Sequence, residues 1–309
     1  MDISAVVVSF NSGKFLAQNL ASLFRQAPAF TQIIVVDNCS CDDSAAVIAT
    51  FPGVLTIGCE SNIGYAAAAN LGIRRTAADL VLVANADVYL ADDFTRQVLQ
   101  FFAAHPQTAM LSPLLLRFDR RTIDSAGQTY SWALHPREIG FNRKLDRTRL
   151  RAREVFSVCG AATIFSRAGL EKLKIQDEYY DEDFFMFWED FDIGWRAQLL
   201  GLKVFFEPRA VAYHFRSATL EKTWLSRFSL ALSRPAHLRF HLLKNRYLTL
   251  IKNFRLSRFW WALPFMLGRD LLWIFALTIT APKIIIAMPG AKASFKRAFG
   301  KRRQIQGHE

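Results

Sequence analysis

Ala5-Val6-Val7-Val8-Ser9-Phe10, closed by Asn11-Ser12-Gly13, decides how the N-terminal third of the chain reads. A short, β-branched apolar run ended by a turn has the pattern of a strand buried on both faces, as in a parallel sheet. Working outward, Phe15, Leu16, Leu20, Leu23 and Phe24 fall on one helical face. Gln32-Ile33-Ile34-Val35-Val36-Asp37 reads as a second strand, closed by the polar turn Asn38–Asp43. Asp42, Asp43 or Ser44 can cap a helix around Ala45–Phe51. Val54-Leu55-Thr56-Ile57 is a third strand, Gly64–Thr76 a helix of small residues, and Leu80-Val81-Leu82-Val83-Ala84 a fourth strand. Strands alternating with helices predict an α/β domain with a mostly parallel sheet and helices on both faces.

A hydrophobic content of 51% over 309 residues excludes a disordered chain and supplies the core of one large domain, or of one domain with an appendage. Asp2 in place of a basic leader, with an apolar run of only strand length, gives no signal peptide. Cys39, Cys41, Cys59 and Cys159 are too few for a disulfide framework, form no C-x-x-C pair, and read as reduced, intracellular thiols. The formal charge of +12 is unevenly spread. Residues 1–216 carry 22 Lys+Arg against 24 Asp+Glu, whereas residues 217–309 carry 17 against 3. The chain therefore divides into a nearly neutral body, 1–216, and a basic extension, 217–309.

In open parallel sheets ligands bind beyond the carboxyl ends of the strands. The residues that end these strands are Asn11, Asp37, Asn38, Asn85 and Asp87. Asn and Asp favour turns in any protein, but here three loops on one sheet edge carry acids and amides. No G-x-G-x-x-G follows the first strand and no G-x-x-x-x-G-K-[ST] occurs anywhere. A nucleotide bound here needs another neutraliser for its phosphates, and a metal held by acids is the natural candidate.

Three segments belong together: Val35-Val36-Asp37-Asn38-Cys39-Ser40-Cys41-Asp42-Asp43-Ser44, Asn62-Ile63-Gly64-Tyr65-Ala66-Ala67-Ala68-Ala69-Asn70-Leu71-Gly72-Ile73, and Leu82-Val83-Ala84-Asn85-Ala86-Asp87-Val88. With Val7-Val8-Ser9-Phe10-Asn11 in front, their order and spacing resemble the GT-A glycosyltransferases of family 2, in particular the rhamnosyltransferase-like branch. The resemblance continues through Cys159-Gly160-Ala161-Ala162, Phe187-Trp188-Glu189-Asp190-Phe191-Asp192 and Tyr213-His214, and covers roughly residues 3–255.

The resemblance implies a set of roles. Asp37 contacts the donor's pyrimidine base, with Asn11 and Arg74 as weaker candidates. Asn85-Ala86-Asp87 stands where the family has D-x-D, so Asp87 coordinates Mn²⁺ or Mg²⁺ and Asn85 contacts the ribose or supports the site. Ala86 departs from the Pro common there. Gly160 and Ala161 line the sugar pocket, where small residues let backbone amides approach the donor. Asp190 is the base that takes the acceptor hydroxyl's proton, with Trp188 and Glu189 toward the acceptor. His214 completes the metal site, although a lone His is more often a core residue. Lys244 and Arg246 resemble a signature facing the diphosphate. A hard cation wants oxygen ligands, and one carboxylate holds it weakly until nucleotide arrives, so donor-first binding is expected. An inverting displacement needs one base and one cation, not the second carboxylate of a retaining hydrolase. The eight acids of Asp177–Asp192 could equally form a solvated face. Phe184, Phe185, Phe187, Trp188 and Phe191 between them argue against full exposure.

In the extension, Phe240, Leu243, Tyr247, Leu250 and Phe254 predict an amphipathic helix over Ala236–Arg255. Phe259–Pro289 is the most apolar stretch, but Arg269-Asp270 and Pro282-Lys283 leave an uninterrupted run of only 11 residues, Leu271–Ala281. That is short of the roughly 20 needed to span a bilayer. With Trp260, Trp261 and Trp273 and the six basic residues of Lys292–Arg303, it reads as an interfacial segment on an anionic membrane. A packed helical hairpin or a dimer interface is the alternative. No nucleic-acid motif is present, so nucleic acid is not the expected partner.

The expectation is an inverting, metal-dependent transferase moving one sugar, rhamnose first, from a nucleotide-diphosphate donor to a polyprenyl-diphosphate or lipopolysaccharide-type glycan. Its place is the cytoplasmic face of a bacterial inner membrane. A processive polysaccharide synthase is disfavoured because the chain lacks an Arg-Trp dipeptide and a clear span. A catalytically silent scaffold of the same fold is the third reading.

Overall fold

The computed structural model describes residues 1–216 and 235–307. The chain opens β1 (Ile3–Ser9), α1 (Gly13–Phe24), β2 (Gln32–Asp37), α2 (Ser44–Ala49), β3 (Val54–Gly58), α3 (Tyr65–Arg74) and β4 (Leu80–Asn85). β3, β2, β1 and β4 lie side by side in that order, all parallel. The chain reverses its direction of winding between β1 and β4, which puts the ligand crevice at the ends of those two strands. β1 is fully buried because its alternate residues serve two cores. Val6 and Val8 pack with Ala66, Ala69 and Ile73 of α3. Ala5 and Val7 pack with Leu16, Leu20 and Leu23 of α1. The small residues of α3 have a steric cause: a Cβ on Gly72 would stand 2.2 Å from a Val6 methyl.

The expected parallel sheet with helices on both faces is present, and the second half of the body makes it mixed. After β5 (Val88–Leu90) and α4 (Phe94–Ala104) come β6 (Thr108–Arg117), β7 (Ile123–Ser125), β8 (Gln128–Tyr130), β9 (Pro136–Glu138) and β10 (Arg153–Glu154). Then follow β11 (Ala162–Ser166), α5 (Arg167–Leu173), α6 (Glu189–Leu199) and β12 (Lys203–His214). β11 inserts antiparallel between β4 and β6, and β12 runs parallel to β6. The start of β11 and the end of β12 therefore reach the edge where β1, β2 and β4 end.

The extension forms α7 (Ala236–Asn253), α8 (Leu256–Phe259), α9 (Leu263–Thr280), α10 (Pro282–Ala287) and α11 (Lys292–Gln306). Leu248, Leu250, Phe259, Ala262 and Ala298 share one hydrophobic cluster with Phe184, Trp188, Phe191 and Trp195 of the body. The amphipathic reading of α7 is corrected on its polar side. Leu243 and Leu250 are buried as expected, but so are Lys244, Asn245, Arg246, Thr249, Lys252 and Asn253. The cause is the acidic segment 177–192, which is not a solvated face. Lys252 Nζ reaches Asp192 at 2.9 Å and also bonds Asp181, Lys301 Nζ reaches Asp181 at 2.6 Å and Glu178 at 2.7 Å, and Arg297 pairs with Asp183. Lys252 and Lys301 are buried with Asp181 and Asp192, 60 to 120 residues away in sequence, so charges of opposite sign are desolvated together. The expected absence of a span is also qualified: Leu256–Thr280 is long and apolar enough to cross a membrane by length and composition alone.

Candidate active site

At the ends of β1 and β2, Asn11 and Asp37 are joined through one loop. Asn11 adopts φ 49°, its N–H donates to Ser40 Oγ at 2.9 Å, and its Oδ1 accepts from Cys41 N–H at 2.8 Å. Ser40 Oγ in turn donates to Asp37 Oδ1. The Asp37 carboxylate stays half-exposed at the mouth of the crevice. Asn38 and Asn62 brace the neighbouring loop, because Asn38 Oδ1 accepts from Ile63 N–H and Asn62 Oδ1 from Gly64 N–H, each at 2.9 Å.

At the end of β4, the Asn85 N–H donates to Ala161 O at 2.9 Å, so the Gly160-Ala161 backbone lies directly beside it. Asp87 is buried, with Oδ1 3.4 Å from His214 Nε2. The other ring nitrogen, Nδ1, lies 2.8 Å from Asp124 Oδ2. Asp124 is fully buried on β7 and also takes Arg216. Burial opposes a charged His214, but the hydrogen bonds and charges of Asp124 and Asp87 raise it to about 9. Burial likewise opposes a charged Asp124, and His214 with Arg216 outweighs it, holding the carboxyl below the ordinary range.

This arrangement fits a divalent cation. Two ligands bound side by side at about 2.1 Å stand roughly 3 Å apart, close to the 3.4 Å between Asp87 Oδ1 and His214 Nε2. Asp124 fixes the imidazole through its far nitrogen, as carboxylates do behind metal-bound histidines. Among the described residues no group of three or more His, Cys, Asp or Glu is arranged to hold a metal. Asp87 and His214 are the two residues whose spacing fits such an ion.

Across the crevice, Asp190 opens α6. Its Oδ2 accepts from Gly160 N–H and from Gln128 Nε2, both at 2.8 Å, and its Oδ1 from Phe191 N–H at 2.8 Å. A side chain at Gly160 would put its Cβ 3.1 to 3.3 Å from the Asp190 side chain, so glycine lets that N–H reach the carboxylate. The same Gln128 amide donates to Glu138 Oε1 at 2.9 Å. Burial raises Asp190 above the ordinary carboxylate range, against the three donors that lower it. Burial, with the Asp190 charge added, pushes Glu138 up to about 7 and Glu189 to about 8. Three carboxylates with raised pKa values, Asp190, Glu138 and Glu189, and one held low, Asp124, lie around these strand ends, the pattern expected where acid–base chemistry is done.

Residues 4–174 match the sequence model of glycosyl transferase family 2, just over half of the chain. The chain belongs to glycosyl transferase family 2. It is 24% identical over 228 residues to the poly-beta-1,6-N-acetyl-D-glucosamine synthase of Staphylococcus epidermidis, covering 73% of this chain and 52% of the relative. The chain thus spans about half the length of the curated relatives it matches. Among solved structures, S. aureus TarS 1-349 in complex with UDP-GlcNAc superposes with a TM-score of 0.60 at 16% identity, covering 99% of this chain and 89% of that one. The mannosyltransferase PcManGT from Pyrobaculum calidifontis, in complex with GDP-Man and Mn2+, gives 0.53 at 16% identity over 98% and 84%. At these identities the likeness establishes the fold, which is GT-A.

Four expected site residues of this family 2 chain lie elsewhere. Arg74 ends α3, a helix length of about 15 Å from Gly64, and turns to Asp177 O at 3.2 Å and Glu182 at 3.6 Å. Trp188 is buried with its ring 5.0 Å from that of His135, so it is core and not an open acceptor platform. Lys244 donates to Asp183 O at 2.6 Å. Arg246 is fully buried, bonded to both Asp270 oxygens at 2.7 and 3.2 Å and to Ala133 O at 3.2 Å. Lys244 is thus directed to a backbone carbonyl of the acidic segment, and Arg246 to Asp270 and Ala133 O. Glu189 is buried beside Asp190, with one oxygen lacking a hydrogen-bond partner.

Sequence reasoning missed Asp124, Gln128, Glu138 and Asn245. The first three sit on short strands with no motif around them. Asn245 had a signal, since it stands inside the Lys244-Asn245-Arg246 signature. Its Nδ2 approaches the carbonyls of Phe184, Met186 and Phe187 at 2.9, 2.7 and 2.8 Å. Phe185, Phe187 and Trp188 have φ of 64°, 69° and 73°, a conformation costly for L residues. Asn245 therefore braces the strained turn that delivers Glu189 and Asp190.

Proposed function

We propose that this chain catalyses inverting transfer of a sugar from a nucleotide-diphosphate donor to a lipid-linked or cell-surface glycan at the cytoplasmic face of a bacterial inner membrane. The observation that carries the reading is Asp190. Its carboxylate is held by Gly160 N–H and Gln128 across one crevice from Asp37 and from the Asp87–His214 pair. Residues 1–216 supply these groups, and the described part of the extension, residues 235–307, packs against the segment that carries Asp190.

Asp37 and Asn11 receive the nucleotide base, and the Gly160-Ala161 backbone, beside Asn85, borders the sugar. Asp190 takes the proton of the acceptor hydroxyl as its oxygen bonds to the anomeric carbon. The bond from that carbon to the diphosphate breaks on the opposite side, so the configuration inverts and the nucleoside diphosphate leaves. Glu189, neutral at pH 7, keeps a second negative charge away from the incoming hydroxyl. Mn²⁺ or Mg²⁺ held by Asp87 and His214 would supply positive charge for the departing diphosphate.

The motif resemblance favours dTDP-L-rhamnose and transfer of a single sugar. The curated relative's name favours a second reading, an N-acetylglucosamine donor and a growing polymer. A thermal-shift panel of nucleotide sugars with Mn²⁺ separates them, because a donor at 100 times its Kd stabilises the fold by about 2.7 kcal/mol. Product length then distinguishes one transfer from many. If no donor is turned over, or if Asp190→Asn matches wild type, the scaffold reading replaces both.

A further inference from the structure

The outer face of α9 has no counterpart in the catalytic reading. Leu271, Phe275 and Ile279 are 67, 66 and 67% exposed, and Phe265, Leu267 and Leu272 are exposed beside them. At 3.6 residues per turn these six side chains fill an arc of about 160°, and Trp273 and Leu277, buried against α7 and α10, point the other way. The exposed arc contains no charged residue, whereas the solvent side of a surface helix is normally polar. To leave the body and cross a bilayer the helix would have to break a buried ion pair at its midpoint. There Asp270 is clamped by the buried Arg246, which also holds Ala133 O.

The exposed charges of the neighbouring chain that lack an acidic partner have one sign. Arg258, Lys283, Lys292 and Lys296 are exposed, with no acidic partner among the described residues. Asp270 is the one acid in residues 235–307, and it faces inward. A second copy seated on this face by two-fold symmetry would bring the same cations together. An anionic headgroup layer would neutralise them, and exposed Trp260 suits such a layer.

The face continues onto the body. Trp132, 66% exposed, lies 5.5 Å from Phe265 and 5.7 Å from Trp261, ring to ring. It is at the tip of the β8–β9 hairpin, whose base carries Gln128 and Glu138. Four residues separate Trp132 from Gln128, a backbone reach of at most about 14 Å. Adding side chains, the Asp190 carboxylate lies within about 20 Å of the apolar face.

We propose that α9 and Trp132 dock flat on the interfacial layer of a bilayer, and that the acceptor is a lipid-anchored saccharide short enough for its reacting hydroxyl to stay within that reach. The docking half stands on the face alone. The acceptor half rests on the transferase reading above.

The test uses the full chain and the variant Leu271→Glu/Phe275→Glu, whose side chains are exposed and form none of the site's contacts. Wild type co-sediments with phosphatidylethanolamine–phosphatidylglycerol vesicles and, more weakly, with pure phosphatidylcholine vesicles. The variant loses at least about tenfold in partition to both at an unchanged Tm. Docking is overturned if wild type ignores both vesicles or if the variant sediments like wild type. It is also overturned if light scattering shows a wild-type dimer that the variant dissolves, which assigns the face to a second copy. Once a donor is identified, the variant loses transfer to a short acceptor in vesicles and keeps transfer to its water-soluble analogue. Equal loss on both, or a preference for acceptors extended by many sugars, overturns the acceptor half. Absence of any turnover refutes the transferase reading and leaves the sedimentation result standing.

Discussion

Replacing Lys252 with methionine tests whether the extension holds the catalytic turn by buried charge. Lys252 is fully buried, and its ammonium lies 2.9 Å from Asp192, against Asp181, and 4.4 Å above the Phe184 ring. Breaking a buried pair by removing one partner costs about 3–5 kcal/mol. Here each acid keeps a second cation, Lys301 at 2.6 Å for Asp181 and Arg196 at 3.2 Å for Asp192. Methionine also retains most of the stem's packing. The expected loss is therefore at the lower end, about 3 kcal/mol, or roughly 6 °C in Tm at about 2 °C per kcal/mol. Denaturant unfolding followed by tryptophan fluorescence reads it, since Trp188 and Trp195 lie in the adjoining cluster. The deficit should shrink in acid. Burial alone would raise Asp181, but Lys252 and Lys301 hold it well below the ordinary range. A depressed carboxylate contributes stability that is present above its unfolded pKa of about 3.9 and is lost as pH falls through the folded value. Removing Lys252 raises that folded value, so the variant gives up less on acidification and the two curves converge below about pH 4. A loss under about 1 kcal/mol, or one independent of pH, would refute a desolvated pair and mark this as an ordinary surface contact.

Asp190→Asn keeps the side chain's size and removes its basicity, so kcat should fall by about 10²–10⁴ with donor affinity by calorimetry little changed. In wild type the acid limb of kcat should lie above that of an ordinary aspartate, because burial raises Asp190 and the base must be ionised to act. His214, raised to about 9, must lose a proton to bind a cation. Apparent Mn²⁺ affinity with nucleotide present should therefore climb with pH toward about 9, and His214→Ala should flatten the titration. Asn245→Ala should cost about 1–3 kcal/mol and lower kcat, because buried carbonyls of the turn lose their donor. Asn245→Asp should not restore either property, since a carboxylate cannot donate to them.

The strands that build the crevice were legible because each is a continuous apolar run ended by a polar turn, and the cores on both faces of β1 require that pattern. β5, β7, β8, β9 and β10 have two or three residues each, too few to show a period, and exist because longer strands pair with them. The same division runs through the site. Asp37, Asp87 and Asp190 stand at strand and helix ends that motifs mark. Asp124 acts on His214 from 90 residues away and Gln128 on Asp190 from 62, and nothing local to either residue announces it. The residues misplaced by sequence, Lys244 and Arg246, had the right charge for a diphosphate. In the structure they meet Asp183 O, Ala133 O and Asp270 instead, partners that nothing in the local sequence announces.

The charge of the extension has a different meaning once these partners are known. Seventeen cations against three acids suggested a surface attracted to anionic lipid. Lys244, Arg246, Lys252, Arg297, Lys301 and Arg302 are instead bonded to carboxylates or carbonyls of the protein. Lys252, Lys301 and Arg297 answer the acids of 177–192, and a chain ended at Arg216 would leave Asp181 without either lysine and Asp192 without Lys252 and Asn253. That segment also carries the turn into Glu189 and Asp190, so the cations stabilise the geometry of the base. For membrane contact, the apolar arc of α9 then matters more than net charge, and the four exposed cations of α8, α10 and α11 set which headgroups the extension prefers. Binding driven mainly by that arc should survive salt that abolishes a purely electrostatic attachment, where screening acts within about 10 Å at 0.1 M. Vesicle partition that collapses between low and physiological salt would return the main role to charge.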